Sequence, residues 1–294
     1  MPTFLPLLRA ALGVALPLTL LPSLPANAAG ATPLSPPHAG NAMNPQFSPD
    51  GARLSYEVTS PAEKITSLFL LDVEGAQETE VRPAAGAGGL GGRFGASLQV
   101  NHEFAWATKG GLYAFSSSGS DNEFDLHIYG VSGAIGSEEK EGGATFSADS
   151  RWLAFSSART GEGDLYLLDV FALESPARRV TSAAGLEFYA DFAPSGTALA
   201  YTAMSEDGAH IKILDDATKP GGAPRAITSG KGTNLKPSWS PDGRRIAFYS
   251  NSHKEDRTRF DLYIAAASGD GVPQRVLEDV IPNERRGPAW LRDS

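Results

Sequence analysis

One nine-residue spacing recurs along the chain and limits its fold more than any other feature. Phe47 precedes Tyr56, Trp106 precedes Phe115, Phe146 precedes Phe155, Phe192 precedes Tyr201 and Trp239 precedes Phe248, each pair nine residues apart. Two positions before each second aromatic stands Leu54, Tyr113, Leu153, Leu199 or Ile246, and directly before it stands Ser55, Ala114, Ala154, Ala200 or Ala247. Between the paired aromatics lies turn chemistry. It reads Ser-Pro-Asp-Gly at 48–51 and 240–243, Ser-Ala-Asp-Ser at 147–150, Ala-Pro-Ser-Gly at 193–196, and Lys109-Gly110-Gly111 in the second copy. Proline presets φ and Asp or Gly accepts left-handed geometry, so each pair reads as two strands joined by a tight turn.

A third strand follows each hairpin: "SLFLLDV", "DLHIYGV", "DLYLLDV", "HIKILDD" and "DLYIAAA". A shorter, more polar fourth usually comes next, as in "QETEVRP", "ARRVTS", "PRAITS" and "PQRVLED". The leading aromatics are 59, 40, 46 and 47 residues apart, the period of a propeller blade. One such meander has two apolar faces and cannot cover both, whereas blades packed face to face around an axis can. The expected class is therefore all-β, a β-propeller of five to six four-stranded antiparallel blades. The expected blades cover about residues 44–83, 98–141, 142–183, 188–229 and 235–280. Trp290, 51 residues after Trp239, opens a partial sixth at 285–294. Period-two alternation with recurrent Gly and Pro excludes a helix-rich fold, and a β-sandwich, the remaining alternative, does not require near-identical repeats.

"FSPDGARLSYEV", "FSADSRWLAFSS" and "WSPDGRRIAFYS" resemble the PD40, or WD40-like, repeats of the TolB β-propeller family. Related repeats occur in the propeller halves of prolyl-oligopeptidase-like peptidases and in some polysaccharide lyases. The resemblance covers about residues 44–280 and implies architecture more than activity, because the fold hosts many chemistries. It also implies envelope proteins as partners, since TolB binds a peptidoglycan-associated lipoprotein. TolB carries an α/β domain before its propeller, whereas about fifteen Pro-, Ala- and Gly-rich residues stand here between the expected leader and the first blade.

Residues 1–28 read as a secretory signal peptide. Arg9 is the only charged side chain before Asp50, an apolar run extends from Ala10 to Leu21, and Ala26-Asn27-Ala28 is a small-x-small cleavage site. Residues 29–43 then form a tail or a closing strand, no transmembrane anchor remains after cleavage, and the expected location is periplasmic or secreted in a bacterium. The net charge of −9 argues against nucleic acid and against anionic membrane surfaces, which need Lys/Arg clusters. With no cysteine, disulfides, thiolate nucleophiles and Cys-based metal sites are excluded.

No Gly-x-Ser-x-Gly nucleophile elbow occurs. Gly86-Ala87-Gly88-Gly89-Leu90-Gly91 spells a dinucleotide fingerprint but lacks the required βαβ context and reads as an inter-blade loop. His127 and His210 occupy strand positions, while His38, His102 and His253 fall at other points of their repeats, so no shared metal site is implied. Glu138-Glu139-Lys140-Glu141 reads as a solvated connector, and Asp215-Asp216 as a structural turn beside its equivalents Asp72 and Asp169. No catalytic residue, cofactor or metal is assigned.

Positions where the copies disagree are the better candidates for binding. Three residues before the leading aromatic stand Asn44, Glu103, Gly143, Tyr189 and Lys236; directly before it stand Gln46, Ala105, Thr145, Asp191 and Ser238. From these, Asn44, Gln46, Glu103, Thr145, Tyr189, Asp191 and Lys236 form the candidate partner-binding rim. The expected function is a non-enzymatic, exported interaction scaffold. The alternatives are a carbohydrate-binding or lyase-type propeller using the axial channel, or an accessory propeller of a longer enzyme.

Overall fold

The computed structural model describes residues 40–60, 65–81, 101–109, 111–118, 124–130, 134–135, 140–161, 163–282 and 287–290. The expected leader and the Gly86–Gly91 segment lie outside them. Five four-stranded antiparallel units follow one another. Blade 1 holds β1 (Asn41–Phe47), β2 (Arg53–Ser60), β3 (Ile65–Asp72) and β4 (Glu78–Val81). Blade 2 holds β5 (Asn101–Trp106), β6 (Tyr113–Ser118), β7 (Phe124–Tyr129) and β8 (Ala134–Ile135). Blade 3 holds β9 (Glu141–Phe146), β10 (Trp152–Ser157), β11 (Asp164–Asp169) and β12 (Arg178–Arg179). Blade 4 holds β13 (Glu187–Phe192), β14 (Leu199–Ser205), β15 (Gly208–Leu214) and β16 (Arg225–Ala226). Blade 5 holds β17 (Gly232–Trp239), β18 (Arg245–Ser250), β19 (Phe260–Ala266) and β20 (Gln274–Val280).

The repeated letters now have physical reasons. From blade 2 onward the second aromatic packs on the preceding blade, whereas Tyr56 clusters within blade 1. Phe115 meets Leu68 and Val81 of blade 1, Phe155 meets Leu126 and Ile128 of blade 2, and Tyr201 meets Leu165 and Leu167 of blade 3. Phe248 meets Ile211 and Ile213 of blade 4. The alanine before each aromatic points the other way, since neighbours on a strand face opposite sides. Ala114, Ala154 and Ala200 accordingly join the clusters of the following seams, where a larger side chain would collide with the incoming aromatic.

The turns repeat atom for atom. Ser48, Ala107, Ser147, Ala193 and Ser240 each donate their backbone N–H to the carbonyl five residues on. In three copies the serine hydroxyl bonds the turn aspartate, and that aspartate accepts a backbone N–H two residues later. The serine hydroxyl bonds hold the Asp50, Asp149 and Asp242 carboxyls below their ordinary values.

Two boundaries shift from expectation. β1 starts at Asn41 and β17 at Gly232, each three residues earlier than the repeat alignment indicates, with ladder pairs continuing on the far side of a register shift. Glu141 is a correction. It is the first residue of β9, only 3% exposed and ion-paired with Arg159, so it closes a strand row and does not belong to a solvated connector. Blades 4 and 5 are also joined by a short parallel pairing, Gly208 with Gly232 and Ala209 with Thr233. A Cβ on Gly208 would fall 1.9 Å from the Gly232 carbonyl oxygen, so only glycine permits that approach.

Candidate functional site

The first strand of every blade carries one β-bulge, at the same place. Register shifts between Met43 and Gln46, His102 and Ala105, Phe188 and Asp191, and Leu235 and Ser238, and opposite β9 between Ala154 and Ser156. Within each bulge one residue has left-handed backbone: Asn44 (φ 53°), Glu103 (57°), Gly143 (65°), Tyr189 (53°) and Lys236 (57°). These are the positions three before the leading aromatic. Four of the five are not glycine, although each non-glycine costs roughly 1 kcal/mol or more in that conformation. A bulge re-aims side chains and frees backbone groups from the ladder.

Those freed groups cross the seams. Glu57, 2% exposed on β2, accepts the Glu103 N–H of blade 2 at 3.1 Å and the Asn44 side-chain amide at 2.9 Å. Glu103 in turn accepts the Gly143 N–H of blade 3 at 2.7 Å and the Ser116 hydroxyl at 3.3 Å. At the seam between blades 4 and 5 the Lys236 N–H reaches Thr202 Oγ1 at 3.1 Å, and the Lys236 ammonium lies 4.6 Å over the Tyr189 ring. Lys236 is 4% exposed. The residues before the leading aromatics act similarly. Gln46 Nε2 donates to the Phe104 carbonyl at 2.8 Å, and Asp191 Oδ2 accepts the Trp239 N–H at 2.9 Å.

The structure thus gathers the seven candidates in neighbouring sets. Asn44, Gln46 and Glu103 sit at the seam of blades 1 and 2, and Tyr189, Asp191 and Lys236 at that of blades 4 and 5. Thr145, half-buried on β9 opposite Ala154, stands apart from both. The residues missed from sequence are Glu57, Ser116, Ser156 and Thr202, each one position after a second aromatic. Their signal was a polar letter recurring inside a strand next to the core.

Tryptophan extends the pattern to the last described residues. The indole N–H of Trp106 donates to the Gln46 carbonyl at 3.4 Å, that of Trp239 to Asp191 at 3.0 Å and that of Trp290 to Ser238 at 3.1 Å. Arg245 covers Trp290 at 5.1 Å as Arg53 covers Trp106 at 5.0 Å. Trp290 therefore docks on blade 5 as a leading aromatic docks on the blade before it.

At the other end of the first strands lies a polar row, buried at Asp164, His210 and Asp261. Its third-strand members are Ser67, Asp125, Asp164, His210 and Asp261, opposite Val58, Ser117, Ser157, Ala203 and Ser250. Asp164 bonds Thr160 and Arg179, and Asp261 accepts His253, Lys254, Arg275 and the Asp279 N–H. Burial pushes Asp261 up, but Lys254, the Asp279 amide and His253 outweigh it and hold the carboxyl at about 2. His127 stacks on Phe115 at 5.4 Å, and burial depresses its basicity. His253 is engaged between Asp261 and the Tyr263 hydroxyl. His38 lies outside the described residues. Among the described residues no three His, Asp or Glu side chains converge as metal ligands. Asp216 accepts the hydroxyls of Thr218 and Thr197, and these bonds pull its carboxyl far below the ordinary range, the turn role read from sequence.

No protein-family model matches the chain. A curated relative, the uncharacterized protein Atu1656 of Agrobacterium fabrum, is 26% identical over 166 residues, and the chain spans about half (52%) of that relative's length. Among solved structures, a putative TolB from Agrobacterium tumefaciens superposes with a TM-score of 0.60 at 16% identity, covering 82% of this chain and 83% of the other. TolB from Acinetobacter baumannii gives 0.53 at 18%, covering 78% and 53%. Dipeptidyl peptidase 4 from Porphyromonas gingivalis gives 0.52 at 18%, covering 83% and 40%. With the repeated blades, seam-packing aromatics and serine–aspartate turns, these likenesses make the fold of this chain a TolB-like β-propeller.

Proposed function

We propose that this chain is an exported, non-enzymatic interaction scaffold of the bacterial cell envelope, engaging protein partners through the bulge row. The carrying observation is that one left-handed backbone position recurs in five blades, strained at the four that are not glycine, while its residue differs in every one. Strained backbone held by an over-determined scaffold clusters at ligand clamps and switch regions, which supports this reading. The apolar run after Arg9 and the likeness to TolB structures support the envelope location.

The test has two parts. Fractionating the bacterium that encodes the chain should place the mature protein outside the cytoplasm; retention in the cytoplasm overturns the export reading. Photo-crosslinking groups installed at Asn44, Thr145 and Tyr189 should capture one reproducible envelope protein, and capture should fall when the groups are moved to exposed Met204. Equal capture from both places, or none, overturns the partner reading.

A further inference from the structure

Between blades 4 and 5, at their parallel glycine contact, lies an open cleft of about 570 Å³ that the bulge row does not reach. Its walls carry charge of opposite sign on opposite banks. Glu206 and Asp207 belong to the tight hairpin between β14 and β15, whereas Lys231 precedes β17 and Arg257 sits in the loop after β18. All four are exposed, yet among the described residues no ion pair joins them. Their positions are set by backbone. Gly208 and Gly232 meet too closely for any side chain, which fixes the banks relative to each other.

Arg257 is held in advance. Its Nη1 donates to the Asn251 carbonyl at 3.1 Å, and the buried Asn251 amide donates to the Arg257 carbonyl at 2.6 Å. The same asparagine accepts the Thr233 N–H at 2.8 Å, tying the loop to β17. A guanidinium fixed in this way keeps its other N–H groups for a planar anion such as a carboxylate. A neutral or singly charged guest leaves at least one bank without a counter-charge. A guest bearing both signs compensates both banks.

We propose that this cleft binds a short peptide with both termini free, its carboxylate against Arg257 and Lys231 and its ammonium against Asp207 and Glu206. The experiment is calorimetric titration of the full chain with triglycine, N-acetyl-triglycine and triglycine amide at low salt. Triglycine should bind saturably, and each blocked peptide at least tenfold more weakly. Asp207→Asn should shrink the penalty for acetylation, and Arg257→Ala the penalty for amidation. Because Arg257 also anchors its loop, Lys231→Ala provides a second variant on the same bank, with melting curves confirming the fold of each. No saturable binding of triglycine, equal affinity for the three peptides, or unchanged discrimination in Asp207→Asn and Lys231→Ala overturns the proposal. None of these outcomes depends on the bulge row.

Discussion

Each blade carries two devices on its first hairpin, and they behave oppositely. The turn after the first strand keeps its turn chemistry from copy to copy, and in blade 5 its hydrogen bonds stay within the blade: Ser240 Oγ to Asp242, the Arg245 N–H to Ser240. The bulge a few residues earlier repeats in its backbone but not in its letters, and its bonds run to the next blade. The difference follows from geometry. A turn bonded only to itself meets the same surroundings in every copy, so the same residues suit it. A bulge bonded across a seam meets whatever its neighbour presents, so Glu57 answers Glu103 at one seam and Thr202 answers Lys236 at another.

The comparison is most exposed to failure at Glu57. Its carboxylate satisfies one side-chain amide and one backbone N–H while almost fully buried. Glu57→Ala strands both donors, and a loss of about 2–4 kcal/mol is expected in urea unfolding. A loss smaller than that of any turn variant would mean that the seams are held by apolar packing alone.

Ser150 comes next, because there the two devices meet. Three turns place glycine at this left-handed position (Gly51, Gly196 and Gly243), but the third copy has Ser150 at φ 64°. The reason lies outside its blade: Ser150 Oγ accepts the Lys109 N–H of the neighbouring turn at 2.7 Å. The one departure in the turn row thus coincides with a bond across a seam. Ser150→Ala keeps the strain and loses the bond, for about 2 kcal/mol. Ser150→Gly loses the bond but regains about 1 kcal/mol of backbone strain. Alanine should therefore melt below glycine and both below the parent, and a glycine variant more stable than the parent would show that the cross-seam bond contributes nothing. Within a single blade, Ser240→Ala should cost only about 1 kcal/mol, the usual worth of a local side-chain cap.

The same contrast explains what was legible in the sequence. Phe155, Ala154 and the serine–aspartate turns could be read because every copy solves the same packing problem, and they identified the fold. The bulge could not be read, because left-handed geometry at Tyr189 or Lys236 leaves no compositional mark when glycine is used in only one copy of five. The varying letters at those positions did draw attention. Their partners did not, since Glu57 and Thr202 lie inside strands whose pattern indicated only burial. Glu141 was misread for a related reason: it follows three charged residues, and only its pairing with Ser157 and Arg159 shows that it belongs to the strand.

The smallest effect tests whether every polar group at a seam is a fastener. Glu187 starts β13 and is 1% exposed, and neither of its carboxylate oxygens has a hydrogen-bond partner. Burial pushes its carboxyl above the ordinary value of 4.5, and Asp164 adds to this, while the nearby Thr181 hydroxyl, Lys212 and Arg179 oppose it without outweighing it. The folded state therefore holds this proton more tightly than the unfolded chain does. As pH rises from about 4.5, the unfolded chain ionises first, and stability falls until the folded pKa is passed. Glu187→Gln removes that titration. Its stability relative to the parent should be near zero at pH 4 and should grow in favour of glutamine toward pH 8, measured by urea unfolding at a series of pH values. A difference that stays flat, or that favours glutamate at high pH, would mean that Glu187 is ionised and bonded across the seam as Glu57 is. The contrast between a seam that uses its carboxylate and one that merely encloses it would then disappear.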